Sequence, residues 1–222
     1  MSQAPDHQIV RLAGCELWLL AERAIWWPAE RCLLIADLHL GKAAAFRHLG
    51  QPVPHGTTSD NLRQLDALLA KYDCRELIFL GDFLHARHGR APATLAAFGA
   101  WRRRHAGLQL RLVRGNHDRH AGDPPAELNI RVVGEPLLRG PLALQHEPHP
   151  CPGHHVLAGH LHPAYRLRGR GRQQLRLPCF VLGDKLSLLP AFGAFTGAMD
   201  IRPEAEQRIF VIGDGGIWPL RN

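Results

Sequence analysis

The 222-residue sequence predicts an α/β fold: two packed, mixed β-sheets flanked by helices. Three observations predict it. Five apolar runs each stop at a polar, metal-competent residue. Helical periodicity separates the first three runs, and the second half is strand-rich with short connections.

Taken in order, the stretch from Ile9 to Trp27 is apolar with interleaved charges and reads as two or three short strands, with Trp18, Trp26 and Trp27 as packing residues. Cys32-Leu-Leu-Ile-Ala-Asp37 is an apolar run that ends on a carboxylate, as a strand buried on both faces would. Leu77-Ile-Phe-Leu runs into Gly81-Asp82, and Leu108 to Val113 runs towards Gly115-Asn116-His117-Asp118. Leu142-Ala-Leu-Gln reaches His146, and Val156-Leu-Ala reaches Gly159-His160-Leu161-His162.

Between these runs, Leu62, Leu65, Leu68 and Leu69 predict a helix over 59–72 with Ser59 or Asp60 as its cap. Leu95, Phe98 and Trp101 predict another over 92–106, with Pro92 in its first turn and Gly107 closing it. The opening is therefore β-α-β-α-β. Residues 165–177 predict a hairpin turning at 169–172, with Tyr165, Leu167, Leu175 and Leu177 inward and the arginines in solvent. Phe180 to Gly183, Leu186 to Leu189 and Arg208 to Ile212 close the second sheet, and residues 1–222 read as a single domain.

The bulk numbers narrow the function. Lys and Arg outnumber Asp and Glu by 27 to 20, a formal charge of +7 that favours polyanionic partners. Five cysteines, an odd number with no C-x-x-C pair, argue against a disulfide framework and for a reducing compartment. The first thirty residues show no basic-then-apolar signal pattern, and no apolar run approaches the roughly 20 residues that span a bilayer. The expectation is a soluble cytoplasmic protein without a membrane partner.

Histidine, at 15 residues, is the outlier. In Asp37-Leu-His39 a carboxylate and an imidazole stand two residues apart, on one face if the strand stays extended. Asp82 can bridge two ions; Asn116 adds a neutral oxygen; His146, His160 and His162 add imidazoles. Each motif alone has a plain reading as a cap, a turn or a buried histidine. Their coincidence at five strand ends points to metal. Oxygen and nitrogen donors without thiolate suit Mn²⁺, Fe or Zn²⁺.

Asp37-x-His39, Gly81-Asp82-x-x-His85, Gly115-Asn116-His117-Asp118, His146 and Gly159-His160-x-His162 together resemble the calcineurin-like metallophosphoesterases. The resemblance implies a four-layer sandwich and a hydrolase with two divalent metal ions. One ion would take Asp37, His39, Asp82 and His162, and the other Asp82, Asn116, His146 and His160. It implies that His117 assists catalysis with Asp118 orienting its ring. His85 lies either near the scissile phosphate or behind the ligands. Asp37-Leu-His-Leu-Gly-Lys42, Phe46-Arg47, Gly50-x-x-Val53-Pro54, His146-Glu-Pro148 and Leu189-Pro-Ala-Phe-Gly-Ala-Phe195 further resemble the ligase-associated DNA damage response endonucleases of the PdeM type. That resemblance implies DNA as substrate and a DNA ligase, a helicase and an exonuclease as repair partners.

Arg166, Arg168, Arg170, Arg172 and Arg176 on the hairpin are candidate DNA-backbone contacts or a solvated face. Three function classes stay open: a DNA endonuclease in repair, a general phosphodiesterase or phosphatase on small molecules or phosphoproteins, and a non-catalytic scaffold. Retention of every candidate ligand disfavours the last.

Overall fold

The computed structural model describes residues 4–48, 56–85, 91–169, 171 and 173–220. The N-terminal stretch forms three antiparallel strands, β1 (His7–Leu12), β2 (Cys15–Leu20) and β3 (Ile25–Trp27). β3 pairs antiparallel with β4 (Cys32–Ala36). From there β5 (Glu76–Leu80), β6 (Gln109–Val113) and β7 (Ile130–Val133) add in parallel, giving a seven-stranded sheet in sequence order. The crossovers carry α1 (Lys42–His48), α2 (Thr57–Lys71), α3 (Pro92–Arg104) and α4 (Asn116–Ala121).

The second sheet contains β8 (Leu137–Arg139), β9 (Leu142–Gln145), β10 (His155–Ala158), β11 (Pro163–Arg168), β12 (Gln174–Leu182), β13 (Leu186–Leu188) and β14 (Met199–Asp200). β15 (Arg208–Gly213) and β16 (Gly216–Pro219) extend it from β12.

Strand periodicity divides the core. Leu33, Ile35, Leu77, Phe79, Leu110 and Leu112 point to one face and pack with Leu62, Leu65 and Leu68 of α2 and Phe98 and Trp101 of α3. Leu34, Ala36, Ile78 and Leu80, one residue out of phase, face the other way. They meet Leu142, Leu144, Leu157, Phe180 and Leu182 between the sheets. Each fully buried Leu or Ile contributes roughly 1.5–3 kcal/mol of transfer free energy, so the alternation itself fixes the sandwich.

Among the described residues no helical side chain enters the cluster on the outer face of the second sheet, which is built from strands and loops. The two mixed sheets of the α/β sandwich are as expected.

Three local expectations are corrected. α2 starts at Thr57 behind Gly56, whose φ is 94°, rather than at Ser59 or Asp60. α3 ends at Arg104 with His105 as its C-terminal cap, two residues before Gly107. Leu167 and Leu175 are exposed, because the distal half of the β11–β12 hairpin extends past the body of the sheet and neither of its faces is covered. The five cysteines are free, two of them buried. No helix of the described residues is long and apolar enough to cross a membrane.

Candidate metal centre

The site lies at the carboxyl ends of β4, β5, β6, β9 and β10. In each case the strand is held by apolar burial and the next residues carry the chemistry. Two of the segments brace one another. His39 N–H donates to Asp82 O at 2.8 Å and Leu40 N–H to Phe83 O at 2.8 Å. Leu38, Leu40, Phe83 and Leu84 point into the core while their neighbours point into the site. Phe83 packs edge-on against Phe79 (5.0 Å) and Phe98 (4.9 Å), each aromatic pair adding about 0.5–1.5 kcal/mol beyond area burial. The residue following Asp82 is thus an anchor.

Asp37, His39, Asp82, His160 and His162 all have left-handed φ, between 46° and 70°. Such backbone costs about 1–3 kcal/mol per residue and persists where surrounding structure over-determines it. The pair Asp37 and His39, and likewise His160 and His162, therefore do not converge by sharing the face of an extended strand. They converge because the chain coils sharply just past the strand end.

The side chains form two groups. In the first, Asp37 Oδ1 is 3.4 Å from His162 Nε2, His39 Nε2 is 3.3 Å from His162 Nε2, and Asp82 Oδ2 is 3.7 Å from His39 Nε2. In the second, His146 Nε2 is 3.4 Å from Asp82 Oδ1, 2.7 Å from Asn116 Oδ1 and 3.0 Å from His160 Nδ1. Asp82 faces both groups with different oxygens. Asp37 also reaches the second group, 3.7 Å from His146 Nδ1, and potential ligand atoms of Asp37, Asp82 and His146 all lie within 4.8 Å of one another.

Hydrogen bonds on the far side of each ring fix which nitrogen faces inward. His146 Nδ1 lies 3.2 Å from Leu80 O and His162 Nδ1 3.0 Å from Gly197 O. Both rings therefore protonate at Nδ1 and turn an Nε2 lone pair to the site, as metal-binding histidines do. Glu135 supports His146 from behind, its Oε2 accepting the N–H groups of His146 (2.8 Å) and Glu147 (3.1 Å).

The donors fit divalent cations. Asp37 and Asp82 are almost wholly buried, and Asp37 Oδ1 has no hydrogen-bond donor. Without positive charge between them the arrangement is costly: burial first, and then the charge of Asp37, push the Asp82 carboxyl up to about 8. Burial pushes the His39 and His146 imidazoles down, so they stay neutral and able to ligate. Lone pairs and carboxylate oxygens that converge without protons between them are what a cation satisfies.

His117 stands at the rim. Its backbone N–H donates to Asp82 Oδ1 at 3.0 Å, its Nδ1 lies 2.7 Å from His85 O, and its Nε2 faces Asp82 Oδ2 at 3.9 Å. The ring is oriented by the His85 carbonyl rather than by Asp118, a correction to the sequence expectation. Asp118 is fully buried and accepts instead from Gly115 N–H (3.0 Å) and Leu84 N–H (3.2 Å), tying two site segments together. His85 stacks on His117 at 5.1 Å, with its Nδ1 3.4 Å from His39 Nδ1, and burial holds its imidazole down at about 4.

Sequence reasoning gave no role to Lys42 or Glu135. Lys42 is half-buried at the start of α1 and feels the charges of Asp82 and Asp37. Its place directly after the Asp37-x-His39 motif was the available signal. Nothing local marks Glu135.

Two of the hairpin arginines are tied to a carboxylate. Arg166 and Arg176 both pair with Asp200, Arg166 Nε at 2.9 Å and Arg176 Nε at 2.5 Å. Arg168 is exposed, and Arg170 and Arg172 lie outside the described residues.

Gly81 shows how tightly the site is closed. Its φ is 77°, and a Cβ there would fall 2.1 Å from His146 Nδ1. Gly81→Ala should therefore cost about 1–3 kcal/mol through overpacking alone. That amounts to a fall of roughly 5 °C in melting temperature, together with lost metal. Calorimetry with elemental analysis checks this, and a variant that melts normally and keeps its metal would contradict the packing.

The sequence profile of the family described as calcineurin-like phosphoesterase matches residues 30–154. The comparison with curated proteins yields no match. Among solved structures, the crystal structure of the Pseudomonas putida nuclease MPE is similar. The identity is 54%, the TM-score is 0.86, and the alignment covers 96% of this chain and 100% of that one. The profile spans more than half of the sequence, the likeness to the Pseudomonas putida protein runs over nearly all of it, and the chain belongs to the calcineurin-like phosphoesterase family.

Proposed function

We propose that this chain is a two-metal phosphodiesterase that cuts DNA as an endonuclease, using Mn²⁺ by preference. The observation that carries the reading is the pair of donor groups joined through Asp82, in a chain 54% identical to a protein described as a nuclease. Asp37, His39, Asp82 and His162 would hold one ion, and Asp82, Asn116, His146 and His160 the other. When bound, the two cations supply Lewis-acid charge at the phosphoryl oxygens and lower the pKa of water in the site.

The remaining work falls to the chain. The buried carboxylates and neutral imidazoles provide a low-dielectric pocket in which charge on the phosphate is strongly felt. His117, anchored by the His85 carbonyl, presents Nε2 to the leaving oxygen and is positioned to give it a proton. Asp118 holds the Gly115 and Leu84 segments in place. His85 lines the side from which a strand approaches His117.

Residues 1–222 act as one domain, since a single apolar cluster joins both sheets. The five free cysteines fit a reducing, cytoplasmic setting. A role in DNA repair beside a DNA ligase, a helicase and an exonuclease follows from the sequence resemblance and belongs to this proposal.

The test pairs two substrates. Metal-depleted protein, restored with Mn²⁺, Zn²⁺ or Fe²⁺, is assayed on bis-p-nitrophenyl phosphate and on supercoiled plasmid. Expected are hydrolysis of the first and nicking of the second, strongest with Mn²⁺ and abolished by EDTA. Activity on p-nitrophenyl monophosphate with neither diester touched would refute the phosphodiesterase assignment, and diester hydrolysis without nicking would refute the nuclease.

A further inference from the structure

A cavity of about 280 Å³ opens beside the metal centre and shares His162 with it. Its polar side chains are Arg23, Arg176, His162 and Thr196, and the rest of its wall is proline, alanine and glycine. Among the described residues, no carboxylate lines it. The two sites are also joined by a hydrogen bond, because Gly197, in the cavity wall, accepts from His162 Nδ1 at 3.0 Å.

Arg23 is the unusual member. It lies in the turn between β2 and β3, at the same edge of the sheet as Asp37, because β3 runs antiparallel to β4. The turn is tightly closed, with Arg23 N–H donating to Leu20 O at 3.0 Å and Leu20 N–H to Ala24 O at 2.9 Å. Arg23 itself is held at φ 61°. The guanidinium is half-buried, and among the described residues no carboxylate pairs with it. A guanidinium drawn out of water without a counterion is costly unless a ligand supplies the charge. Opposite it, Arg176 bonds Asp200 Oδ1 and Ala198 O, and Arg166 shares that same Asp200. Two guanidinium groups against one carboxylate leave positive charge over even on that side.

A small, cation-lined hollow without carboxylates takes an anion, and planar guanidinium groups match phosphate oxygens. Its shared wall with the metal centre fixes which phosphate. We propose that the cavity binds the phosphate next to the scissile one along a nucleic-acid strand, with Arg23 as its principal cation. This rests on the phosphodiesterase reading above and deepens it: the enzyme would recognise a chain of phosphodiesters rather than a single one.

The test uses the Mn²⁺-loaded protein and two readouts. Hydrolysis of the dinucleotide TpT is compared with that of pTpT and TpTp, which carry one extra phosphate on either side. For the wild type, kcat/KM should be about tenfold higher with the extra phosphate on one side, as a charge-assisted contact provides. Arg23→Asn suits the left-handed backbone and should bring the ratio near one, while Arg23→Lys should keep part of it. Binding of a labelled, slowly hydrolysed phosphorothioate 12-mer gives the second readout. The slope of log K against log salt should shrink by about 0.7 in Arg23→Asn.

An unchanged slope, or a phosphate advantage that survives in Arg23→Asn, would overturn the subsite. A wild type inert towards both TpT and bis-p-nitrophenyl phosphate, with the slope change intact, would instead overturn the phosphodiesterase reading and leave an anion site standing.

Discussion

Asp82→Asn should lower kcat/KM by about 10³-fold or more and reduce the bound metal from two ions per chain to one or none. Asp82 is buried, and its two oxygens face different imidazoles, His39 at 3.7 Å and His146 at 3.4 Å. The amide has nearly the same size. It can still accept the His117 N–H that Asp82 Oδ1 accepts at 3.0 Å, so the loop has no reason to rearrange. What disappears is one negative charge shared by both groups. A bound metal contributes several kcal/mol of transition-state stabilisation, and about 4 kcal/mol corresponds to a factor of 10³.

The same substitution carries an opposite expectation for stability. In EDTA the wild-type chain holds Asp82 beside Asp37 with no cation between them, an arrangement that burial penalises. Above about pH 8, where that carboxyl carries its charge, the variant is relieved of it and should melt higher than wild type in EDTA, and it should melt lower than wild type in Mn²⁺, where the native site gains binding free energy. Melting curves under the two conditions test the crossing. A variant that melts below wild type in both would mean that Asp82 is a folding residue whose loss damages the loop, and the shared-ligand assignment would fall.

How far the site was legible follows from what each residue depends on. The candidate ligands were readable because metal chemistry restricts residue type and because parallel strands deliver their carboxyl ends to one edge. Leu33 and Leu34 alternate between two cores, and that period of two could be counted along the chain. The local shape at the ligands was not readable. Asp37 and His39 have left-handed backbone, which Asp and His adopt more readily than most residues but still rarely, and the packed sandwich holds them there.

Helix α1 escaped for another reason. At seven residues it is too short to display a periodic face. Leu167 and Leu175 alternate as if one face were covered, but whether a hairpin reaches past its sheet is a property of the assembled fold. Arg23, His162 and Arg176 come from three distant segments, so their cavity has no sequence signature at all.

His117→Ala should reduce turnover of DNA by about 10²–10⁴-fold, the range for loss of a positioned general acid or base, while metal content stays at two ions. The retention of metal follows from geometry. His117 Nδ1 is engaged with His85 O at 2.7 Å, and its Nε2 is 3.9 Å from Asp82 Oδ2, at the rim rather than between the two donor groups. The imidazole is also substantially exposed, with 40% of its side chain open to solvent. It can therefore exchange a proton with solvent between turnovers.

A proton donor has a second signature. A nucleoside oxygen leaves poorly unless it is protonated, whereas p-nitrophenolate leaves well on its own. The variant should therefore lose far more activity on DNA than on bis-p-nitrophenyl phosphate, and its rate on the latter should be nearly independent of the missing ring. Equal losses on the two substrates would assign His117 to binding the phosphoryl oxygens instead of protonating the leaving group. Loss of metal alongside activity would make it a ligand. Only an unequal loss with both ions in place fits a ring held by one carbonyl and aimed at the departing oxygen.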